Sequence, residues 1–367
     1  MKKIVLKLGT GILSAGHGNI HQARLQNLAQ GISTLRKIGV EVIIVSSGAV
    51  GLGMGKLGYK TRPDELAELR ACASIGQCLL MNAWSKALDE VGMIPGQVLL
   101  TREDFNQQSR SEKVKETLLT LLERQVVPIV NENDSVSDEE IKFGDNDVLS
   151  ALLASLSEAD MLVILSTAPG LMTHKDNGKL VPFIAEITPA IEQMAQGTNS
   201  PTAVGGMITK IDAAKVATKS GCAVFIGSGE QPANLTEIFE GKAIGTFFPP
   251  SGLNLKDRKR WLAFFPKPQG SLIVSHACYK NIIEKGSSLL ASGLCLVEGP
   301  FDKNDVVSIK TEEGQAFAQG VSRFNSTELK SLQGLSKEES MALSESDKQT
   351  EIINCDHLAP TSCSIAE

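Results

Sequence analysis

The chain has 367 residues, 42% of them hydrophobic and 21% charged, with a formal net charge of −6 and a mean hydropathy of 0.00. That length allows two domains and a sizeable core, and the composition is ordinary for a protein folded in water. The longest apolar runs are too short to cross a bilayer, and the stretch after Met1-Lys-Lys is broken by Lys7, which argues against a signal peptide. Seven cysteines, an odd number without zinc-ligand spacing, read as reduced thiols. The expectation is a cytoplasmic protein with no membrane partner.

Apolar runs and helix-period patterns alternate over about the first 245 residues. Strands are expected at 2–7, 40–46, 94–100, 126–131, 160–166 and 222–226, and helices at 22–38, 64–91, 110–124, 146–157, 186–195 and 208–220. Such alternation predicts an α/β fold, an open and mostly parallel sheet sandwiched by helices. Pro249-Pro250 and the charged run 256–260 mark a boundary. Beyond it, strand patterns with glycine turns at 270–274, 293–297, 306–310 and 316–321 predict a small, mostly-β domain. The expected division is 1–250 for the first domain, 251–270 for a linker, 271–355 for the β-rich domain and 356–367 for a tail.

Four segments carry candidate chemistry. The first strand brings Lys7 to its exit into Gly9-Thr-Gly11, where glycines let backbone N–H groups approach an anion. A plain turn reads the same way. The second strand ends in Ser46-Ser-Gly-Ala49, small residues that leave room beside the backbone. The fourth strand runs into 131–147, which holds seven carboxylates, three amides and a lysine. Open α/β sheets place ligands at such strand ends, and Asp and Asn together suit a small zwitterion. Lastly, Gly205-Gly-Met-Ile-Thr-Lys210 places glycines at a helix start with a lysine in its first turns, a phosphate-site pattern that a simple hinge shares.

In this order the motifs resemble the glutamate 5-kinases of the amino-acid kinase family. The resemblance rests on Lys7-Leu-Gly-Thr10, Ser46-Ser-Gly-Ala49, Asn131-Glu-Asn-Asp134, Gly144-Asp-Asn-Asp-Val-Leu-Ser-Ala151 and Gly205-Gly-Met-Ile-Thr-Lys210. It continues through Arg258-Lys-Arg-Trp261 and Lys285-Gly-Ser-Ser-Leu-Leu290, and the β-rich part is similar to a PUA domain. The resemblance implies transfer of phosphate from ATP to the γ-carboxylate of L-glutamate, opening proline biosynthesis, with Mg2+ as cofactor and proline as feedback inhibitor. It implies catalytic roles for Lys7, Lys210 and Asp147, and substrate contacts from Ser47, Gly48, Asp134 and Asn146. ATP contacts are implied for Lys7, Ser166, Thr167, Gly205, Gly206, Met207, Thr209 and Lys210, with no metal ligand assigned. A homo-oligomer, and glutamyl phosphate reductase as a partner, are further implications.

The physical roles suit that chemistry. A γ-carboxylate is ionised at neutral pH, with a reference pKa of about 4.3, so no general base is needed. Repulsion from the ATP phosphates is the obstacle, and aligned cations are the remedy. Asp134 can pair with an α-ammonium, Asn146 can donate to a carboxylate, and Ser47 and Gly48 can offer donors near the reacting end. Asp147 would organise the lysines or the metal, with Asp145 its competitor. Two departures from the family stand out: Thr167 and Met172 replace an expected aspartate and tyrosine, and Ala203 replaces a glycine. Kinases of aspartate, acetylglutamate or uridylate are the enzymatic alternatives. RNA binding through the PUA-like part is the alternative of another class. Residues 271–367 carry 8 basic against 14 acidic side chains, and residues 1–270 carry 28 of each. That field is wrong for RNA.

Overall fold

Seven strands build the first sheet: β1 (Lys3–Leu8), β2 (Glu41–Ser46), β3 (Ile94–Leu100), β4 (Val126–Glu132), β5 (Met161–Ser166), β6 (Ala223–Ser228) and β7 (Gly245–Phe248). They come from a computed structural model that describes residues 2–16, 18–136, 145–173, 178–196, 206–230, 235–251, 259, 262–263, 266, 268–332 and 351–361. The order is β3-β4-β2-β1-β5-β6-β7. All neighbours are parallel except β6 and β7, which run antiparallel. β1 and β5 are near-continuous apolar runs buried along their length, as central strands covered on both faces must be. The expected α/β architecture is borne out.

Helices α1 (Thr10–Leu13), α2 (Gln22–Lys37), α3 (Ala49–Leu57), α4 (Leu66–Asp89), α5 (Glu103–Asn106), α6 (Gln108–Glu123), α7 (Asp145–Leu156), α8 (Pro189–Gln196), α9 (Met207–Lys219) and α10 (Leu235–Phe239) connect these strands. α2 shows why the pattern works: Leu25, Leu28, Ala29, Ile32 and Leu35 lie on one stripe and are all buried. The His21 side chain accepts the Arg24 N–H at its start. Gly39, at φ 83°, closes its end, with the Val40 N–H returning to the Leu35 carbonyl at 3.1 Å.

The nine-residue helix α3 is not expected from sequence, because Gly51, Gly53 and Gly55 lower helix propensity. Packing against α4 overrides it. A Cβ on Gly53 would strike the Cys72 carbonyl, and one on Gly76 would strike the Ala49 carbonyl. The two helices therefore meet backbone to backbone, and this contact sets the position of the turn between β2 and α3. In that turn Gly48 adopts φ 105°, open to glycine and strained for other residues. Behind it, the buried Trp84 indole N–H donates to Ser46 Oγ at 3.0 Å.

The chain divides into two compact units at residue 252, with 106–108 grouped with the second. The second unit holds β8 (Gly270–Val274), α11 (His276–Lys285), β9 (Leu289–Leu290), β10 (Leu294–Glu298), β11 (Val306–Lys310), β12 (Ala316–Val321), α12 (Ser326–Leu332), β13 (Glu351–Ile353) and β14 (Leu358–Pro360). Its main sheet has the order β10-β8-β11-β12-β14, and β13 pairs with β9. Leu272, Val307, Ile309, Phe317 and Ile352 are among its core residues. Ser275 caps α11 by accepting the Cys278 N–H. The tail expected from 356 instead contributes β14, whose residues pair with β12 from Ala318↔Pro360 to Gly320↔Leu358. Three residues are too short for a periodicity to show. The linker expected over 251–270 falls largely outside the described residues. Among the described residues no helix is long and apolar enough to cross a membrane, and six cysteines are free.

Candidate active site

β1 is the switch point of the first sheet. The chain leaves it for β2 on one side and later returns with β5 on the other. The crevice beyond the carboxyl ends of such strands is where open α/β sheets bind ligands. Register brings the pieces together there: Leu8 lies opposite Ser46 on one side and Leu165 on the other. The Gly9 N–H donates to the Leu165 carbonyl at 3.0 Å.

Three charges are buried at this edge. Lys7, at the end of β1, and Lys210, in the first turn of α9, are each 5% exposed, and Asp147 at the start of α7 is fully enclosed. Lys7 Nζ lies 2.5 Å from Asp147 Oδ1, and Lys210 Nζ lies 3.1 Å from Asp147 Oδ2. Thr209 Oγ1 donates to the same Oδ2 at 2.7 Å. Burial pushes the Lys7 ammonium down from its ordinary value. The Asp147 carboxylate opposes that shift and the Lys210 charge adds to it. Burial pushes the Asp147 carboxyl up, but Lys7 and Lys210 together hold it below its ordinary value. One carboxylate between two cations leaves an excess of positive charge in a dry site. A lysine in the first turn of a helix also works against the helix dipole. The N-cap of α9 is Gly206, which has no side chain to cap the helix, and a helix start of this kind suits an anion as well.

The nucleotide-side residues expected from sequence are arranged nearby on β5 and α9. Ser166 is buried and its Oγ accepts the Ala168 N–H at 3.2 Å. Thr167 is exposed at the strand end. Its Cγ2 sits 2.9 Å from where a Cβ on Gly11 would lie, so Gly11 permits the two loops to approach. Gly206, Met207 and Thr209 start α9. Gly205, Ala203 and the Asp145 side chain lie outside the described residues.

On the other side of Lys7, α7 carries Asn146 next to Asp147. Asn146 Nδ2 donates to Ser47 Oγ at 3.0 Å and to Asn131 Oδ1 at 2.9 Å. Both of its N–H groups are thereby engaged, so the expected donation from Asn146 to a carboxylate does not fit this arrangement. Asn131 Nδ2 in turn donates to Gln77 Oε1 at 2.9 Å. A cavity lined by Thr10, Leu13, Ser47, Gly48 and Leu52 opens beside this group. Asp134 follows in the turn after β4. Burial lowers the Arg62 guanidinium from its ordinary value, and the Asp134 carboxylate acts against that shift, so the two charges feel one another. Sequence reasoning missed Gln77 and Arg62. For Gln77 a signal existed: an amide stands four residues after Ala73 and three before Leu80, on the buried stripe of α4.

Two buried lysines about one carboxylate at a sheet switch point, beside the glycine-led start of a helix, suit the binding of phosphate groups. The chain belongs to the amino acid kinase family, whose pattern matches residues 2–228; a PUA domain pattern matches residues 270–342. Within that family its relatives are glutamate 5-kinases. It is 42% identical to glutamate 5-kinase of Syntrophotalea carbinolica over 92% of both chains. The corresponding enzyme of Moorella thermoacetica is 41% identical, over 91% of this chain and 89% of that one. That of Deinococcus radiodurans is 40% identical, over 93% and 95%. Among solved structures, carbamate kinase from Giardia lamblia bound to AMP-PNP aligns with 68% of this chain and 98% of that one, at TM-score 0.48 and 17% identity.

Proposed function

We infer that this site transfers the γ-phosphoryl group of ATP to the γ-carboxylate of L-glutamate, giving γ-glutamyl phosphate, the step that opens proline biosynthesis. The observation that carries the reading is the Lys7–Asp147–Lys210 cluster, set next to the amide group on Ser47 and Asn146. The acceptor carboxylate is already a nucleophile at neutral pH. The work left to the protein is to bring two anions together and to offset charge on the transferred group. Lys7 and Lys210 are placed for that, and Asp147 holds both ammonium groups at fixed positions. The N-terminus of α9 adds positive potential toward the polyphosphate.

Among the described residues no group of three or more His, Cys, Asp or Glu side chains could hold a metal. Mg2+ would come as an ion carried by the nucleotide phosphates, with Asp147 the enclosed carboxylate beside both lysines. When bound it supplies further neutralisation of phosphate charge. Proline shares glutamate's α-ammonium and α-carboxylate but has no carboxylate to phosphorylate, so the same pocket takes it as a competitive inhibitor. The acidic excess of residues 271–367 argues against RNA as the main ligand.

The test is ATP-dependent hydroxamate formation with hydroxylamine, comparing glutamate, aspartate and acetylglutamate, with ADP release scored for uridylate. Glutamate-specific trapping of the acyl phosphate is expected. Turnover with another acceptor and none with glutamate would sink the reading.

A further inference from the structure

The amides beside Ser47 form a chain whose polarity is set by the backbone. The Glu132 N–H can only donate, and it donates to Asn131 Oδ1 at 3.0 Å. Asn131 therefore turns its Nδ2 the other way, toward Gln77 Oε1 at 2.9 Å. The same Asn131 oxygen accepts one N–H of Asn146 at 2.9 Å, and the second N–H of Asn146 goes to Ser47 Oγ at 3.0 Å. An amide nitrogen has two hydrogens, and both are used. What Asn146 has left is Oδ1, which is buried and has no hydrogen-bond partner among the described residues. At the far end Gln77, with its oxygen turned to Asn131, leaves its buried Nε2 without a partner among the described residues. A buried carbonyl without a donor is costly, and a ligand that brings a donor removes the cost.

We propose that the chain Gln77–Asn131–Asn146 presents the Asn146 carbonyl to the α-ammonium of the acceptor, with Gln77 the positioning residue that fixes this orientation. The proposal rests on the reading of the acceptor as an α-amino acid. It assigns the ammonium, not a carboxylate, to Asn146. It leaves the Ser47 hydroxyl, which accepts from Asn146, with its own hydrogen free to give to a carboxylate oxygen. Gln77 touches no substrate atom in this scheme. It acts by occupying the Asn131 donor, so that Asn131 keeps its oxygen toward Asn146. An amide chain of this kind selects against acceptors whose nitrogen is acylated or absent, because the buried carbonyl then stays unpaired.

Two truncated acceptors separate the groups. Glutarate lacks the ammonium, and 4-aminobutyrate lacks the α-carboxylate. Their dissociation constants are measured by calorimetry on the full chain, and as inhibition constants against L-glutamate where turnover allows. Asn146→Ala should weaken glutamate and 4-aminobutyrate by roughly 10- to 100-fold, the scale of a hydrogen bond to a charged group, and leave glutarate nearly unchanged. Gln77→Met should give the same pattern at smaller size, with the KM for ATP unmoved. Gln77→Glu, which keeps an acceptor oxygen for Asn131, should preserve the wild-type preference. That variant stands as the test if Gln77→Met does not fold. Weakening of glutarate with 4-aminobutyrate unaffected would overturn the proposal, as would equal weakening of both or loss of the preference in Gln77→Glu. A wild-type chain that turns over another acceptor and ignores glutamate would instead overturn the functional reading.

Discussion

Asp147→Asn isolates the charge balance of the site. The carboxylate is fully enclosed and its two lysine partners are each 5% exposed, so solvent cannot take over its role. Removing one member of a buried ion pair costs about 3–5 kcal/mol, because the partner is left buried and uncompensated. Here one substitution strands two ammonium groups. Against a typical stability of about 5–15 kcal/mol, that is a large share. The loss is limited by deprotonation. The Lys7 ammonium is already pushed down by burial, and Asp147 is what opposes the shift. In the variant it falls further, and each unit of that fall corresponds to about 1.4 kcal/mol. The sign of the pH dependence follows. A lysine whose folded pKa lies below its unfolded 10.5 binds fewer protons folded than unfolded, so stability rises with pH across that window. The window reaches lower in the variant, which should regain more stability than wild type between neutral and alkaline pH. Saturating MgATP supplies the missing anion and should narrow the gap between the two proteins. Urea unfolding at several pH values, with and without MgATP, measures all three effects. A variant within about 1 kcal/mol of wild type, with the same pH slope and the same response to MgATP, would refute the charge argument.

Further outcomes are expected from the same geometry. Lys7→Ala and Lys210→Ala should each lower kcat by roughly two to four orders of magnitude, with a much smaller change in glutamate KM, as steady-state kinetics would show. Gly76→Ala puts a methyl against the Ala49 carbonyl; it should cost about 1–3 kcal/mol or more in denaturant unfolding and raise glutamate KM by displacing the Ser47 turn. In wild type, Asp147 is held below the ordinary 3.8 by its two lysines. Its contribution is complete above that pH and is lost only as pH falls through the lower folded value, so acid unfolding should set in earlier when Lys210 is replaced by Met. Inhibition by proline should be relieved by raising glutamate, and glutamate kinetics at several proline concentrations would decide it.

Much of the first sheet was legible because its central strands are apolar on both faces: β1 and β5 could only be interior. Helix α3 was not legible, since its glycines lower propensity for a reason that lies in α4, where Cys72 meets Gly53 and Gly76 meets Ala49. β13 and β14 escaped for a different cause. Each has three residues, and what makes them strands is an edge offered by β9 and β12. At the site, Lys7 reads in sequence equally as a surface lysine at a strand end. Only Asp147, 140 residues on, tells that it is buried with a partner, and the resemblance rather than any spacing linked the two. Sequence marks Asn146 as a donor to a carboxylate, whereas both of its N–H groups already have partners within the protein. Which face an amide shows depends on the Glu132 N–H, a backbone group that no side-chain pattern records.

Asn146 and Asp147 are consecutive residues at the start of one helix, and α-helical neighbours point about 100° apart. One reaches Ser47 and Asn131, the other Lys7 and Lys210. The amide group and the charge cluster thus hang on a single peptide unit. A shift at one end of that unit is carried to the other with no hinge in between, so the pair should be kept intact in any attempt to redesign either side.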